Sequence, residues 1–203
     1  MNKLNTIDSI KPDLSLIDKA CRIISNGGLV IMPTETVYGI ACDPENSNAV
    51  RRLQEIKGRD KNKPLSYLAG SINQVKKVCI NWNSGIDSLC KKFWPGPLTI
   101  VLETKNGWLG FRVPDHNIPI LICNAYGSFL ALTSANISGK PDASTAKSAA
   151  SLDADLILDG GISSDQAIPS SVIKIDGANL EIIREGVLTF SKLNECFSYG
   201  INA

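Results

Sequence analysis

The stretch GGLVIMPTETVYG, residues 27–39, decides how this chain can fold. Two glycines precede the apolar run at 29–32, which is typical of a helix stop, a tight turn and a buried strand. Pro33 has no N–H donor and ends strand pairing, and the residues after it place hydroxyls and a carboxylate in one loop. Ligands bind at the carboxyl ends of strands in open α/β sheets. The loop is therefore a candidate site, and the alternative is a turn whose hydroxyls are satisfied internally.

Helical and strand patterns alternate along the rest of the chain. Apolar residues recur at helical spacing over 13–26, 47–56 and 84–93, and His116 begins a short helical pattern as a capping residue. Apolar or β-branched runs predict strands at 64–69, 98–102, 109–113, 129–132, 155–158, 172–175 and 180–184. No linker or repeat interrupts them, so we expect one α/β domain over residues 1–203, with a short helix and then a loose end after Phe190.

Composition excludes several classes of protein. The 21 basic and 20 acidic side chains leave a net charge of +1, too small to draw the whole molecule onto nucleic acid or an anionic membrane. The six cysteines form no C-x-x-C pair and there is a single histidine, so we expect reduced packing thiols and no zinc site. The absence of a signal-peptide or membrane-spanning pattern makes the cytoplasm the expected location.

The sequence KGRDKNK at 57–63 places four basic residues in one turn after a predicted helix. Lys57 and Arg59 flank a glycine, and an arginine fork matches the geometry of phosphate or carboxylate. We therefore expect these two side chains to converge on a polyanion. The alternative is an ordinary cationic helix end on the surface.

Other candidates lie at strand ends. Arg112 ends an apolar strand and needs an anionic partner, which is a substrate or else one of the carboxylates of the chain. Thr133, Ser134 and Asn136 follow the strand at 129–132, and parallel neighbouring strands would bring this loop to the same crevice as the loop at 33–39. A hairpin over 172–184 places Ser170 and Arg184 near one end.

The collected residues describe an anion site without an evident nucleophile. The chain has no G-x-x-x-x-G-K-[ST], G-x-G-x-x-G or G-x-S-x-G motif, which argues against phosphate-loop ATPases, Rossmann dehydrogenases and α/β-hydrolases. Chemistry that depends on positioning and charge neutralisation, such as attack on a nucleoside triphosphate, fits better.

Six motifs, in this order, resemble the YrdC/Sua5 family. They are PTETVYG at 33–39, K-x-R at 57–59, WPGPLT at 94–99, RVP at 112–114, S-x-N at 134–136 followed by Ser138-Gly139, and Arg184 near the end. The resemblance covers residues 14–188, which we take as the core. It implies a twisted, mostly mixed open sheet with flanking helices and a basic concave site.

The resemblance also implies a function, the synthesis of threonylcarbamoyl-AMP from L-threonine, bicarbonate and ATP for the t6A modification of tRNAs that read ANN codons. Magnesium would accompany ATP without a dedicated protein metal site. The expected partners are the downstream threonylcarbamoyl-transfer machinery and, as an open option, weakly bound tRNA. The implied residues are Lys57 and Arg59 for catalysis, Thr34, Arg112 and Ser170 for threonine, and Arg59, Lys63, Thr133, Ser134, Asn136 and Arg184 for the nucleotide.

Two alternatives stay open. One is a relative that handles carbamoyl-adenylate, and the other is an RNA-binding module that uses a basic face. The chain also departs from the family pattern at Leu68 and Asp142. An acid at the second position would repel phosphates unless a metal ion or a lysine intervenes.

Overall fold

The structure is a computed structural model, and it describes residues 4–60, 63–163 and 168–202. Within these ranges the helices are α1 (Leu14–Ser25), α2 (Ser47–Lys57), α3 (Ile72–Lys76), α4 (Ser84–Phe93), α5 (Asn117–Tyr126), α6 (Ala146–Ala149) and α7 (Phe190–Asn202). The strands are β1 (Leu4–Thr6), β2 (Val30–Met32), β3 (Gly39–Cys42), β4 (Ser66–Leu68), β5 (Leu98–Thr104), β6 (Gly107–Arg112), β7 (Leu130–Ser134), β8 (Leu156–Asp159), β9 (Ser171–Asp176) and β10 (Asn179–Arg184).

All ten described strands form one mixed open sheet in the order β1-β8-β2-β3-β7-β4-β6-β5-β9-β10. The sheet contains parallel pairs such as β2 with β8 and antiparallel pairs such as β3 with β7. The predicted single α/β fold with a mixed sheet is therefore confirmed. The expectation that β2 and β7 are neighbours is wrong, because β3 lies between them and is antiparallel to both. The carboxyl ends of β2 and β7 still open on the same edge.

The apolar run before the first loop is buried on both faces of the sheet. Val30 and Met32 pack with α1 and α5 in one core cluster, whereas Leu29 and Ile31 pack with α2 in another. Successive side chains of a strand point to opposite faces, so a short uninterrupted apolar run is what a two-sided sheet requires. A third cluster joins α4 and α7 to β5, β6 and β9.

Element boundaries differ from the sequence prediction at several points. The chain pairs again immediately after the first loop as β3, and β1 adds an edge strand next to β8. The segment after Phe190 is a helix of 13 residues that packs on α4, with Leu193 and Phe197 buried. Short apolar runs carry little information about tertiary partners, which explains why β1 and β3 were missed. The helix after Phe190 was predicted, but it is longer than expected. The role of His116 is confirmed, since its Nδ1 accepts from the Ile118 N–H as the N-cap of α5.

Candidate functional site

The two loops that follow β2 and β7 meet at one cavity. The described residues that line it are Thr34, Thr36, Val37, Gly39, Arg59, Pro64, Ser66, Thr99, Arg112, Leu132, Thr133, Ser134, Asp142, Pro169, Ser170 and Arg184. Gly39 is required where β3 approaches β7, because a Cβ there would lie 2.6 Å from the Leu132 side chain. Seven of the sequence-predicted residues thus line one cavity, namely Thr34, Arg59, Arg112, Thr133, Ser134, Ser170 and Arg184.

The first loop is held by its own hydroxyls. Thr34 is 1% exposed, and its hydroxyl donates to the Val37 carbonyl at 2.7 Å and accepts from the backbone N–H groups of Thr36 and Val37. Thr34 therefore lines the cavity and also shapes the turn. Thr36, to which the sequence analysis gave no role, turns its hydroxyl toward Arg112.

Arg112 lies at the floor of the cavity and is 5% exposed. Its Nη2 donates to the Thr36 hydroxyl at 2.9 Å and lies 2.7 Å from Glu35 Oε1, while its Nε donates to the Gly96 carbonyl at 3.3 Å. The carboxylate alternative for Arg112 is thus realised, since Glu35 is its ion-pair partner. Arg112 also lines the cavity, so contact with a substrate stays a prediction beside this ion pair.

Lys57 is 1% exposed and binds the loop that follows β7, the second loop of the cavity. Its ammonium donates to the Ser134 carbonyl, to the Asn136 carbonyl at 2.6 Å and to Asn136 Oδ1 at 3.1 Å. The Asn136 amide also accepts from the Ser134 hydroxyl at 2.6 Å and donates to the Lys140 carbonyl at 2.6 Å. Lys57 and Asn136 are therefore not among the cavity-lining residues, and the expected convergence of Lys57 and Arg59 on one anion is not seen.

Burial, assisted by the nearby charge of Arg59, lowers the pKa of Lys57 to about 8. Transfer out of water disfavours the charged amine, and a second cation within reach adds to that effect. The charge of Asp142 acts in the opposite direction. At neutral pH the side chain is an ammonium, which suits its three oxygen acceptors.

Arg59 is placed at the cavity by the end of α2. Gly58 adopts a left-handed conformation with φ 59°, which ends the helix and turns the chain outward after the inward-facing Lys57. Arg59 Nη2 donates to the Pro64 carbonyl at 2.9 Å, and its buried Nε has no hydrogen-bond partner among the described residues. Lys63 is exposed and does not line the cavity.

The β9–β10 hairpin supplies the third arginine. Arg184 donates from Nε and Nη2 to the Ser170 carbonyl at 3.1 and 2.8 Å, as the sequence analysis expected from the hairpin. The Ser170 hydroxyl lies 3.1 Å from that of Thr99, which the sequence analysis had not singled out. Thr99 comes to the cavity through the parallel pairing of β5 with β9, and no local pattern could have shown that contact.

The described part of the chain lacks two features. No group of three or more His, Cys, Asp or Glu side chains could hold a metal ion. Among helices in the same ranges, none is both long enough and apolar enough to cross a bilayer. The cysteines are free thiols and mostly buried, as predicted.

Comparison with known proteins places this site in a family. The Sua5/YciO/YrdC family model, described as telomere recombination, matches residues 22–186. A Methanocaldococcus jannaschii protein with a provisional threonylcarbamoyl-AMP synthase name is 37% identical over 187 residues, which span 85% of this chain and 86% of that protein. The threonylcarbamoyl-AMP synthase of Bacillus subtilis is 31% identical over 172 residues, 78% of this chain and 50% of that protein.

Solved structures agree with the sequence relatives. Pyrococcus abyssi Sua5 in complex with L-threonine has a TM-score of 0.89 and 29% identity, and the match covers 96% of this chain and 61% of that one. Escherichia coli YciO shares the fold, with a TM-score of 0.82 at 24% identity over 93% of this chain and 98% of that one. The chain spans about 60% of the Sua5 structure. By sequence and by fold, this chain is a member of the Sua5/YciO/YrdC family.

Proposed function

We propose that this protein is a threonylcarbamoyl-AMP synthase, which condenses L-threonine, bicarbonate and ATP and releases pyrophosphate. The observation that carries the proposal is the convergence of three guanidinium groups, those of Arg59, Arg112 and Arg184, on one cavity lined with hydroxyls. Such a cavity favours a ligand with several negative charges. The names of the curated relatives support the same activity.

The first loop fits the amino acid. Glu35, Thr36 and Gly96 engage Nε and Nη2 of Arg112, so its Nη1 can donate to the threonine carboxylate. The paired hydroxyls of Thr99 and Ser170 offer polar contacts beside it. The crystal structure of P. abyssi Sua5 with L-threonine supports an amino-acid subsite in this fold.

The second loop and the two outer arginines fit the nucleotide. Arg59 and Arg184 can neutralise phosphate charge, and the Thr133 and Ser134 hydroxyls lie in the same wall. In this arrangement Lys57 and Asn136 act as positioning residues, because their polar groups hold the loop that carries Ser134. Lys63, which is exposed, can reach a nucleotide only from the rim.

The proposed reaction has two bond-forming steps. The amine nitrogen of threonine attacks the bicarbonate carbon, a C–N bond forms and water leaves. An oxygen of the new carboxylate then attacks the α-phosphorus of ATP, a P–O bond forms, and the bridging bond to the β-phosphate breaks to release pyrophosphate. The arginines stabilise charge on the phosphates in this second step, which is catalysis by preorganised electrostatics.

Magnesium is expected to enter with ATP, where it would neutralise phosphate charge. Mg²⁺ is usually bound through one or two carboxylates together with substrate phosphates, so most of its ligands would come from ATP and water. The unstable product would pass to machinery that transfers threonylcarbamoyl to adenosine in tRNAs that read ANN codons. Weak tRNA binding belongs to the same proposal.

The proposal is tested by pyrophosphate release from ATP in reactions that omit one substrate at a time. We expect release only when threonine and bicarbonate are both present. Arg59→Ala should lower turnover about tenfold to a hundredfold, because a charge-assisted hydrogen bond contributes about 1.5–3 kcal/mol. The exposed Lys19→Ala serves as the control. Release that is indifferent to threonine would show that the activity is different.

A further inference from the structure

Asp142 is the single acidic side chain among the described residues that line the arginine-rich cavity. The segment that carries it is fixed on both sides. The Asn136 amide donates to the Lys140 carbonyl at 2.6 Å, and the Tyr38 N–H donates to the Ala143 carbonyl at 2.8 Å. Ala143 is also buried. The carboxylate is therefore held at the cavity wall by a constrained backbone.

The carboxylate of Asp142 has no hydrogen bond or ion pair within the described parts of the chain. Arg184 is close enough that the charge of Asp142 partly offsets burial, the main cause that lowers the pKa of this arginine. Arg184 nevertheless directs its guanidinium to the Ser170 carbonyl at 2.8 Å. The carboxylate oxygens of Asp142 are thus free to accept, and they lie at a cavity whose arginines favour anions.

An unpaired carboxylate beside a triphosphate is repulsive unless a cation lies between them. The arginines that line the cavity cannot coordinate a metal ion, because a guanidinium has donors and no acceptor. Mg²⁺ usually keeps several waters and is bound through one or two carboxylates together with substrate phosphates. A single free carboxylate in a phosphate-binding cavity meets that requirement.

We propose that Asp142 is the protein ligand of the Mg²⁺ ion that binds with the nucleotide. The inference rests on the proposed function, because phosphate oxygens supply the other non-water ligands. As a metal ligand, Asp142 would make the protein bind the magnesium complex of the nucleotide in preference to the free nucleotide. With metal the carboxylate attracts the complex, and without metal it repels the phosphates.

The test is calorimetric titration of α,β-methylene-ATP, which is not cleaved at the reacting bond, with Mg²⁺ or with EDTA. Wild-type protein should bind the magnesium complex at least tenfold more tightly than the free analogue. Asp142→Asn should lose about tenfold in affinity with Mg²⁺, equivalent to about 1.4 kcal/mol, and gain affinity in EDTA. Asp18→Asn, an exposed acid on α1, should behave as wild type.

Mn²⁺ provides a second measurement of metal binding that does not depend on turnover. With protein and analogue present, the electron paramagnetic resonance signal of free Mn²⁺ should fall more with wild type than with Asp142→Asn. The two proteins should have the same melting temperature, which shows that the variant is folded. Tighter binding by Asp142→Asn in both conditions, or no difference from wild type, would overturn the metal assignment alone. A wild-type protein that binds no nucleotide would overturn the proposed function as well.

Discussion

The two loops at the cavity are built in opposite ways. The loop after β2 is stabilised from within, because the Thr34 hydroxyl makes the hydrogen bonds that close its turn. The loop after β7 depends on a side chain from another element, since the Lys57 ammonium binds three of its oxygens. The first arrangement fixes Arg112 rigidly, and the second makes the geometry of Ser134 and its neighbours depend on one charge from α2. We propose that the first loop binds the amino acid and the second binds the nucleotide.

The largest expected effect is at the first loop. Arg112→Gln should weaken threonine binding about a hundredfold, because loss of a charge-assisted contact costs about 1.5–3 kcal/mol and the substrate carboxylate also loses its counter-charge. Calorimetric titration of threonine measures this. The ATP affinity should change little.

A structural role for Arg112 can be separated from binding by a second variant. Removing one member of a buried ion pair destabilises by about 3–5 kcal/mol, whereas replacing both members is often neutral. Glu35→Gln added to Arg112→Gln should therefore restore the melting temperature and leave threonine binding weak. Recovery of threonine affinity in the double variant would show that Arg112 does not contact the substrate.

A smaller effect is expected at the second loop. Lys57→Met leaves three oxygens without their donor, and it should weaken ATP binding about tenfold, or about 1.4 kcal/mol, while threonine affinity stays near that of wild type. The free energy of unfolding should also fall by about 1–3 kcal/mol, because buried acceptors are left unsatisfied. Lys19→Met, an exposed lysine on α1, is the matched control. Unchanged ATP binding in a destabilised Lys57→Met protein would confine this lysine to folding.

The smallest effect concerns pH. Because the folded-state pKa of Lys57 is about 8, below the value of about 10.4 for a free lysine, the folded protein releases this proton first. Between these two pH values the unfolded chain binds more protons, so this group makes the free energy of unfolding rise with pH. The ammonium that holds the loop is nevertheless lost above pH 8.

We therefore expect ATP affinity to fall about threefold between pH 7.5 and 9, because the charge-assisted hydrogen bonds of Lys57 are partly lost. Calorimetry across this range checks it. Lys57→Met should lack the fall, because it has no ammonium to lose. The same decline in both proteins would assign the pH dependence to another group.

Sequence reasoning succeeded where local chemistry determines the structure. The apolar run at 29–32, the proline after it and the following hydroxyls correctly indicated a buried strand that opens into a polar loop, and the spacing of Ser170 and Arg184 around a hairpin predicted their contact. The position of Thr99 depends on which strands pair, and that information is not local. The place of Asp142 near the anion site was implied by the family resemblance and not by any local pattern. Thr36 lay within the quoted loop, but its contact with Arg112 joins residues 76 apart in the chain.

The same limit explains Lys57. From sequence, K-x-R suggests two cations on one anion, because the two residues flank a glycine in the turn after a predicted helix. In the structure Lys57 belongs to the last turn of α2 and Arg59 follows a left-handed glycine, so the two side chains diverge. A pattern of charges cannot show where a helix ends to within one residue.

The most direct test of the account is one set of calorimetric titrations, in which threonine and ATP are each titrated into wild type, Arg112→Gln with Glu35→Gln, and Lys57→Met. The account predicts a crossed result. The first variant binds threonine about a hundredfold more weakly and keeps its ATP affinity, whereas Lys57→Met binds ATP about tenfold more weakly and keeps its threonine affinity. If each variant loses both ligands to the same extent, the division of the cavity between the two loops is contradicted.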